Sequence, residues 1–129
     1  MILDSSVIVE IVLKHAGVER LRPILAAATY IGVGAPTLTE TAIVLRQRLG
    51  FDPKAELDLF LRSFEIEVIA FGDAHWREAS LAFGRYGKGR HPAALNFGDC
   101  LSYATSRIAR LPLLYIGDDF ARTDVTSAG

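Results

Sequence analysis

The sequence begins MILDSSVIVEIV (residues 1–12), a stretch in which an apolar run is followed by polar residues and a second apolar run. The apolar residues 1–3 predict a short buried strand. The polar residues 4–6 (DSS) follow at once, and their side chains are of the kind that cap the first turn of a helix. Residues 7–12 are rich in Val and Ile, which favour strands by propensity. The capping residues decide between the two interpretations, and we predict a strand, a cap and then a helix.

The same alternation continues along the chain. Apolar runs predict three further strands, at residues 30–33, 67–70 and 113–116. Helical periodicity and helix-end residues predict five further helices, over residues 18–28, 39–49, 54–64, 73–86 and 98–108. Strands that alternate with helices form right-handed crossovers and a mostly parallel sheet covered on both faces. The sequence therefore predicts the α/β class.

Composition narrows the class of protein. With 129 residues, 50% of them hydrophobic, the chain is predicted to form one domain over residues 1–129. The net charge of -1 argues against a generic nucleic-acid coat protein. Its one cysteine, Cys100, excludes an internal disulfide. The N-terminal apolar run has no basic leader and is interrupted by acids, so we expect a cytoplasmic protein without a membrane span.

Several carboxylates lie next to the predicted strands. Asp4 directly follows the first strand, and Asp118 and Asp119 directly follow the last. Glu40 is expected to open the helix that follows the second strand. In an open parallel sheet, ligands bind beyond the carboxyl ends of the strands. Asp99 starts the helix before the last strand, a position that does not by itself place it at the same edge.

Each acid also has a purely structural explanation. Aspartate is a preferred N-cap, and an acid in the first turn of a helix is stabilised by roughly 0.3–1 kcal/mol. Like charges gathered at one edge repel each other, however, so capping alone does not explain the whole set. A divalent cation such as Mg²⁺ or Mn²⁺ removes this repulsion, usually through one or two carboxylates directly. We therefore expect a site for Mg²⁺ or Mn²⁺. A zinc site is not expected, since no Cys/His cluster is present.

A basic segment precedes Asp99. The sequence GKGRHPAAL (residues 87–95) carries Lys88, Arg90 and His91. A locally basic strip binds phosphate even when the total charge is near zero. The alternative is an ordinary solvated loop, and charge alone favours that alternative.

Four segments of the chain form a recognisable set: MILDSS (1–6), TLTETAIVLRQRLG (37–50), YGKGRHPAALNFGDCLSYA (86–104) and LLYIGDDFARTDV (113–125). In their order and spacing they resemble PIN-domain ribonucleases, specifically the VapC toxins of bacterial toxin–antitoxin pairs. The NFGDCLSYA and GDDF sequences are the most specific, and the resemblance runs nearly end to end. It implies a single-domain α/β/α sandwich with a mostly parallel central sheet.

The resemblance also implies a set of site residues. The acidic site of the family falls on four positions, Asp4, Glu40, Asp99 and Asp119. Asp118 lies beside the last of these and leaves that assignment open between the two residues.

Further positions and partners follow from the resemblance. Ser6 matches a hydroxyl position that supports the site through hydrogen bonding, and Ile116 stands where many relatives have a lysine. The resemblance implies Mg²⁺ or Mn²⁺ dependence, RNA cleavage and a homodimer. It also implies neutralisation by a cognate VapB-type antitoxin, whose C-terminal segment would lie across the active-site groove.

These observations lead to a hypothesis of RNA hydrolysis by metal-activated water. Asp4 and Asp99 would hold the cation directly, and Glu40 and Asp119 would act through water or complete a second site. The basic side chains of Lys88, Arg90 and His91 would contact the RNA backbone and position it.

Two alternatives stay open. One is a different Mg²⁺-dependent phosphohydrolase that forms an aspartyl-phosphate, although that chemistry usually needs an acid where this chain has Ser6. The other is a non-catalytic PIN-like interaction module that keeps the fold and binds a partner.

Overall fold

The protein, described here by a computed structural model of residues 1–129, contains four strands and six helices. Their order is β1 (Ile2–Leu3), α1 (Ser5–Val12), α2 (Val18–Ala27), β2 (Gly32–Gly34), α3 (Ala35–Leu49), α4 (Lys54–Ser63), β3 (Glu67–Ile69), α5 (Asp73–Tyr86), α6 (Phe97–Ala109) and β4 (Leu113–Leu114). A short 3₁₀ turn, Phe120–Arg122, follows β4. None of the helices has both the length and the hydropathy needed to cross a membrane.

The four strands form one sheet in the order β3-β2-β1-β4, and every pairing in it is parallel. The chain moves outward from β1 through β2 to β3 and then returns to place β4 on the other side of β1. The strand order therefore reverses between β1 and β4, and such a switch point is where open α/β sheets bind ligands.

Successive residues of a strand point to opposite faces of the sheet, and here they join different cores. Leu3 and Leu114 pack into a core with α1, α2, α3 and α4. Ile2 and Leu113 pack into a second core with α5 and α6. The predicted α/β fold with helices on both faces of a parallel sheet is confirmed.

Capping and burial settle the helical state of the segment after β1. Asp4 has extended backbone geometry and its side chain accepts a hydrogen bond from the backbone N–H of Ser6 at 3.1 Å, as an N-cap does. Helix α1 then buries Val7, Ile8 and Ile11 against the first core. These contributions outweigh the strand propensity of the β-branched residues.

Strand β2 and the helix after it differ from the prediction in their bounds. The strand covers Gly32–Gly34 rather than residues 30–33, and α3 begins at Ala35 with no intervening turn. Proline is tolerated in the first turn of a helix because its missing N–H is not needed there, so Pro36 lies inside α3. The expectation that Glu40 opens this helix is wrong, because Glu40 lies in its second turn.

The glycines of β2 allow close packing on one face of that strand, the face turned toward α6. A Cβ added to Gly34 would lie 2.8 Å from Oγ1 of Thr105 on α6, and one added to Gly32 would lie 2.7 Å from Cδ1 of Ile69. Glycine is unfavourable in strands by propensity, but here it brings α6 close to the sheet. The strand that leads to Glu40 is thereby held near the helix that carries Asp99.

Candidate metal-binding site

Asp4 lies at the carboxyl end of β1 and is 5% exposed. Its Oδ2 accepts hydrogen bonds from the backbone N–H and the hydroxyl of Ser6, at 3.1 and 2.6 Å. Its Oδ1 accepts a hydrogen bond from the Ser102 hydroxyl at 2.6 Å. The Ser6 hydroxyl in turn accepts the backbone N–H of Ile116 at 3.1 Å, which ties the end of β1 to the segment after β4. Both oxygens of the Asp4 carboxylate are thus held in place.

Glu40 reaches the same region from the second turn of α3, and its carboxylate lies against Gly98 of α6. A Cβ added to Gly98 would lie 2.7 Å from Cδ and 2.8 Å from Oε1 of Glu40. Oε1 is buried and has no hydrogen-bond partner. Burial raises the pKa of the Glu40 carboxyl, the Ser5 hydroxyl opposes that shift, and the charge of Asp4 adds to it. An unpaired buried carboxylate oxygen is costly, and a cation would satisfy it.

Asp99 is the third residue of α6 and forms a reciprocal cap with Asn96. The backbone N–H of Asn96 donates to Asp99 Oδ2 at 3.0 Å, and the backbone N–H of Asp99 donates to Asn96 Oδ1 at 2.9 Å. Burial raises the pKa of the Asp99 carboxyl to about 6, and the hydrogen bond from Asn96 opposes the shift. Repulsion from three other carboxylates adds to it, namely those of Asp4, Asp119 and Glu40. The four acids therefore lie close enough to share one electrostatic environment.

The position of Asp99 was left open by the sequence, and the direction of α6 explains it. A crossover helix between parallel strands runs against them, so its first residues lie at the carboxyl edge of the sheet. Asp99 lies in that first turn and interacts with Asp4 and Asp119, which follow β1 and β4. It belongs to the same edge of the sheet as the other acids.

Asp118 and Asp119 are both exposed on the turn after β4. Gly117 makes this turn with a φ of 104°, in the left-handed region that favours glycine. Phe120 is 3% exposed and anchors the other side of the turn in the second core. Of the two acids, Asp119 is the one whose charge contributes to the raised pKa of Asp99. The electrostatic influence of Asp119 on Asp99 therefore favours Asp119 over Asp118 as the fourth acid.

The four carboxylates suit a hard divalent cation. No three or more Asp, Glu, His or Cys side chains converge closely enough to enclose an ion by themselves. Mg²⁺ in proteins typically keeps several waters and binds only one or two carboxylates directly. The unpaired Oε1 of Glu40 and the mutual repulsion at Asp99 are both relieved by positive charge at this place. The residues fit an open carboxylate site that water or a substrate oxygen completes.

No hydrogen bond or ion pair joins Lys88 or Arg90, in the basic loop between α5 and α6, to the four acids. Lys88 and Arg90 are exposed, and the Arg90 guanidinium lies 5.9 Å from the centre of the Phe83 ring. Neither cation is among the groups that shift the pKa of Asp99 or Glu40.

His91 has contacts within its own loop. Its Nδ1 accepts the backbone N–H of Ala93 at 3.0 Å, and its ring packs edge-on against Tyr86 with 5.1 Å between centres. The loop is also joined to the 3₁₀ turn, because Arg122 Nη1 donates to the carbonyl oxygen of Pro92 at 3.2 Å. These contacts give His91 a role in shaping the loop that joins α5 to the helix of Asp99.

Two residues of the site were missed by the sequence interpretation. Ser102 donates to Asp4, and Gly98 leaves the space that the Glu40 carboxylate occupies. Ser102 had a detectable signal, because it lies three residues after Asp99 and so on the same face of α6. Gly98 carried no comparable signal, since its importance depends on a neighbour from α3.

Similarity to known proteins extends along nearly the whole chain. The family model for the PIN domain matches residues 1–125. The chain is similar to Ribonuclease VapC of Mycolicibacterium smegmatis, with 38% identity over 98% of each chain. It is also similar to Ribonuclease VapC36 of Mycobacterium tuberculosis, with 40% identity over 100% of this chain and 94% of that protein.

Solved structures share the fold at lower sequence identity. Mycobacterium tuberculosis VapC20, described as a sarcin-ricin loop cleaving toxin, superposes with a TM-score of 0.76 and 16% identity over 97% of this chain and 95% of that one. A toxin–antitoxin complex from Klebsiella pneumoniae superposes with a TM-score of 0.72 and 15% identity, over 99% and 97%. Since the sequence match and the fold agree along nearly the whole chain, the protein belongs to the PIN-domain family and, within it, to the VapC ribonucleases.

Proposed function

We propose that this protein is the toxin of a type II toxin–antitoxin pair, a metal-dependent endoribonuclease that hydrolyses RNA phosphodiester bonds. The observation that carries the proposal is the group of four carboxylates that includes Asp99. Burial and the charges of the other three carboxylates raise the pKa of Asp99 to about 6. Carboxyl groups with raised pKa values in a shared cluster are typical of sites that bind a cation or a substrate. Similarity to VapC ribonucleases supports RNA as the substrate.

Asp4 and Asp99 are proposed to hold Mg²⁺ or Mn²⁺ directly, and Glu40 and Asp119 to bind through water or complete a second site. A divalent cation in such a site lowers the pKa of water and offsets the negative charge of the phosphodiester. Ser6 keeps the Asp4 carboxylate oriented through the hydrogen bond at 2.6 Å. In the hydrolysis, a water oxygen bonds to phosphorus while the P–O3′ bond breaks and the 3′ oxygen takes up a proton. The products are 5′-phosphate and 3′-hydroxyl ends.

The test is cleavage of a mixed RNA by the purified protein, freed from any antitoxin, in Mg²⁺ or Mn²⁺ and in excess chelator. Asp4→Asn and Asp99→Asn should each abolish cleavage, and because asparagine is also a good cap, both variants should keep the fold. Undiminished cleavage by either variant, or in chelator, would overturn the mechanism. Metal binding without cleavage of any RNA would favour a non-catalytic module.

The proposal includes two protein partners. The similarity to VapC proteins, and to a chain from a toxin–antitoxin complex, supports an antitoxin as one of them. The other is a second copy of this chain. A groove of about 540 Å³ between α5 and the start of α6, which we call the Phe97 groove, is lined mainly by apolar side chains that include Trp76, Phe83 and Phe97.

The exposure of this groove supports the homodimer. Phe97 is 79% exposed and Trp76 is 52% exposed. Contiguous exposed apolar surface of this kind marks protein–protein interfaces, and homodimer interfaces are the more apolar ones. We therefore assign the Phe97 groove to contact between two copies.

A further inference from the structure

We propose that Ser102 is a positioning residue that fixes the carboxylate of Asp4 relative to that of Asp99, and so sets the affinity of the site for a divalent cation. The inference rests on the proposed function of this site. It adds a residue from the middle of α6 that does not itself contact metal or RNA.

The first support is the contact itself. Ser102 is fully buried, and its hydroxyl donates to Asp4 Oδ1 at 2.6 Å across 98 positions of the sequence. That length is typical of a charge-assisted hydrogen bond from a hydroxyl to a carboxylate. Because Ser6 holds Oδ2, the bond from Ser102 leaves the Asp4 carboxylate little freedom to rotate.

The second support is the position of Ser102 on α6. It lies one turn after Asp99, and residues three apart in a helix share a face. The reciprocal cap between Asp99 and Asn96 fixes the first turn of the same helix. One rigid element therefore carries one proposed ligand directly and holds the other through Ser102, so the helix sets the spacing between the two carboxylates.

Such spacing matters for the cation expected here. Mg²⁺ demands nearly ideal geometry and short ligand distances. Outer residues that orient ligands typically change metal affinity or activity by about 10–100-fold when they are removed. We expect Ser102 to contribute an effect of that size.

A purely structural role is the competing explanation, because any buried carboxylate oxygen needs a donor. Ser106 provides a matched control on the same helix. It is 3% exposed, and its hydroxyl donates to the backbone carbonyl oxygen of Leu111 at 2.6 Å, away from the acids. Ser102→Ala and Ser106→Ala thus each remove one buried hydroxyl and one short hydrogen bond.

The experiment measures Mn²⁺ affinity by titration calorimetry on the full chain, together with kcat and KM for RNA cleavage. Ser102→Ala should weaken Mn²⁺ binding about 10–100-fold and lower kcat with little change in KM, since the RNA contacts are untouched. Ser102→Thr, which keeps the hydroxyl, should recover most of the affinity. Ser106→Ala should bind Mn²⁺ as the unchanged protein does.

Wild-type Mn²⁺ affinity in folded Ser102→Ala, or an equal loss in Ser106→Ala, would overturn the inference. If Ser102→Ala does not fold, Ser102→Cys keeps the space filled with a weaker donor. Unchanged Mn²⁺ affinity in Ser102→Cys, or an equal loss in Ser106→Ala, would then overturn the inference. Absence of Mn²⁺ binding and RNA cleavage in the unchanged protein would instead overturn the proposed function, and this inference with it.

Discussion

The carboxylate of Glu40 occupies the space that a side chain at Gly98 would need. Helices α3 and α6 meet at this point, and the first turn of α6 lies beside Glu40 only because residue 98 has no Cβ. The contact brings a buried, unpaired oxygen of Glu40 next to the turn that carries Asp99.

Gly98→Ala should therefore displace the Glu40 carboxylate and impair the site. The nearest obstructing atoms belong to the far end of the flexible Glu40 side chain, so the helix should stay in place while the carboxylate moves. Alanine also favours the helix over glycine by roughly 0.5–1 kcal/mol. We expect a melting temperature close to that of the unchanged protein and a fall in RNA cleavage of about 100-fold, the scale of a misplaced group.

The matched control for this substitution is Gly84→Ala in α5. A Cβ at Gly84 would meet nothing within 4 Å. That variant should gain roughly 0.5–1 kcal/mol of stability and cleave RNA at the original rate. Full activity in Gly98→Ala would show that the position of Glu40 is unimportant for cleavage.

Asp118 and Asp119 form a natural pair of variants on one exposed turn. Of these two residues, only Asp119 contributes to the raised pKa of Asp99. Asp119→Asn should therefore lower RNA cleavage at least about tenfold, the lower end of the range for residues that support metal ligands. Asp118→Asn should retain most of the activity. Initial rates at saturating Mg²⁺ measure both, and a greater loss in Asp118→Asn would reverse the assignment.

The element types and their order could be predicted from the sequence because they depend on local signals. The cap at Asp4 and the apolar stripe after it define α1, and similar patterns define the other helices. The start of α3 was misplaced because Ala35 and Pro36 suggest a turn between strand and helix, whereas both residues lie in the first turn of α3.

Asp4 and Asp119 could be predicted from their places directly after strands, but the sheet edge of Asp99, the helix turn of Glu40 and the supporting contacts could not. Ser102 lies 98 positions from Asp4, and Glu40 and Gly98 belong to different helices. Such pairs are set by how α6 packs on the sheet. The pairing of the C-terminal segment with β4 was missed for the same reason, since Leu113 donates its N–H to the carbonyl oxygen of Thr126 at 2.8 Å.

The basic loop is predicted to contact the phosphates of RNA. Lys88→Ala combined with Arg90→Ala should weaken RNA binding and reduce the slope of log affinity against log salt by about 1–1.5, since each phosphate contact on a single strand contributes about 0.7. Fluorescence anisotropy with the cleavage-deficient Asp4→Asn protein measures this. Arg46→Ala with Arg48→Ala, in the last turn of α3, is the control and should leave the slope unchanged. Equal slopes in all three proteins would make the loop an ordinary solvated surface.

The Phe97 groove is predicted to hold two copies together. Phe97→Ser should convert a dimer to a monomer in size-exclusion chromatography with light scattering, because the side chain is 79% exposed in the single chain. Leu59→Ser on α4 is the control, since Leu59 is 60% exposed but lies outside the groove. A monomeric unchanged protein, or a dimer that survives Phe97→Ser, would contradict the assignment.

The contribution of Asp99 to the stability of the metal-free protein should fall as the pH rises. Burial raises the pKa of Asp99 to about 6, whereas an aspartate in an unfolded chain has a pKa of about 3.9. The folded state therefore binds the proton more tightly, and the stabilisation is fully present below about pH 4 and is lost as the pH rises through about 6. In chelator, Asp99→Asn should melt above the unchanged protein at about pH 7.5, by a margin that shrinks toward pH 4. Thermal unfolding across this pH range measures the difference in melting temperature. A difference independent of pH would show that the pKa of Asp99 is not raised in the folded state.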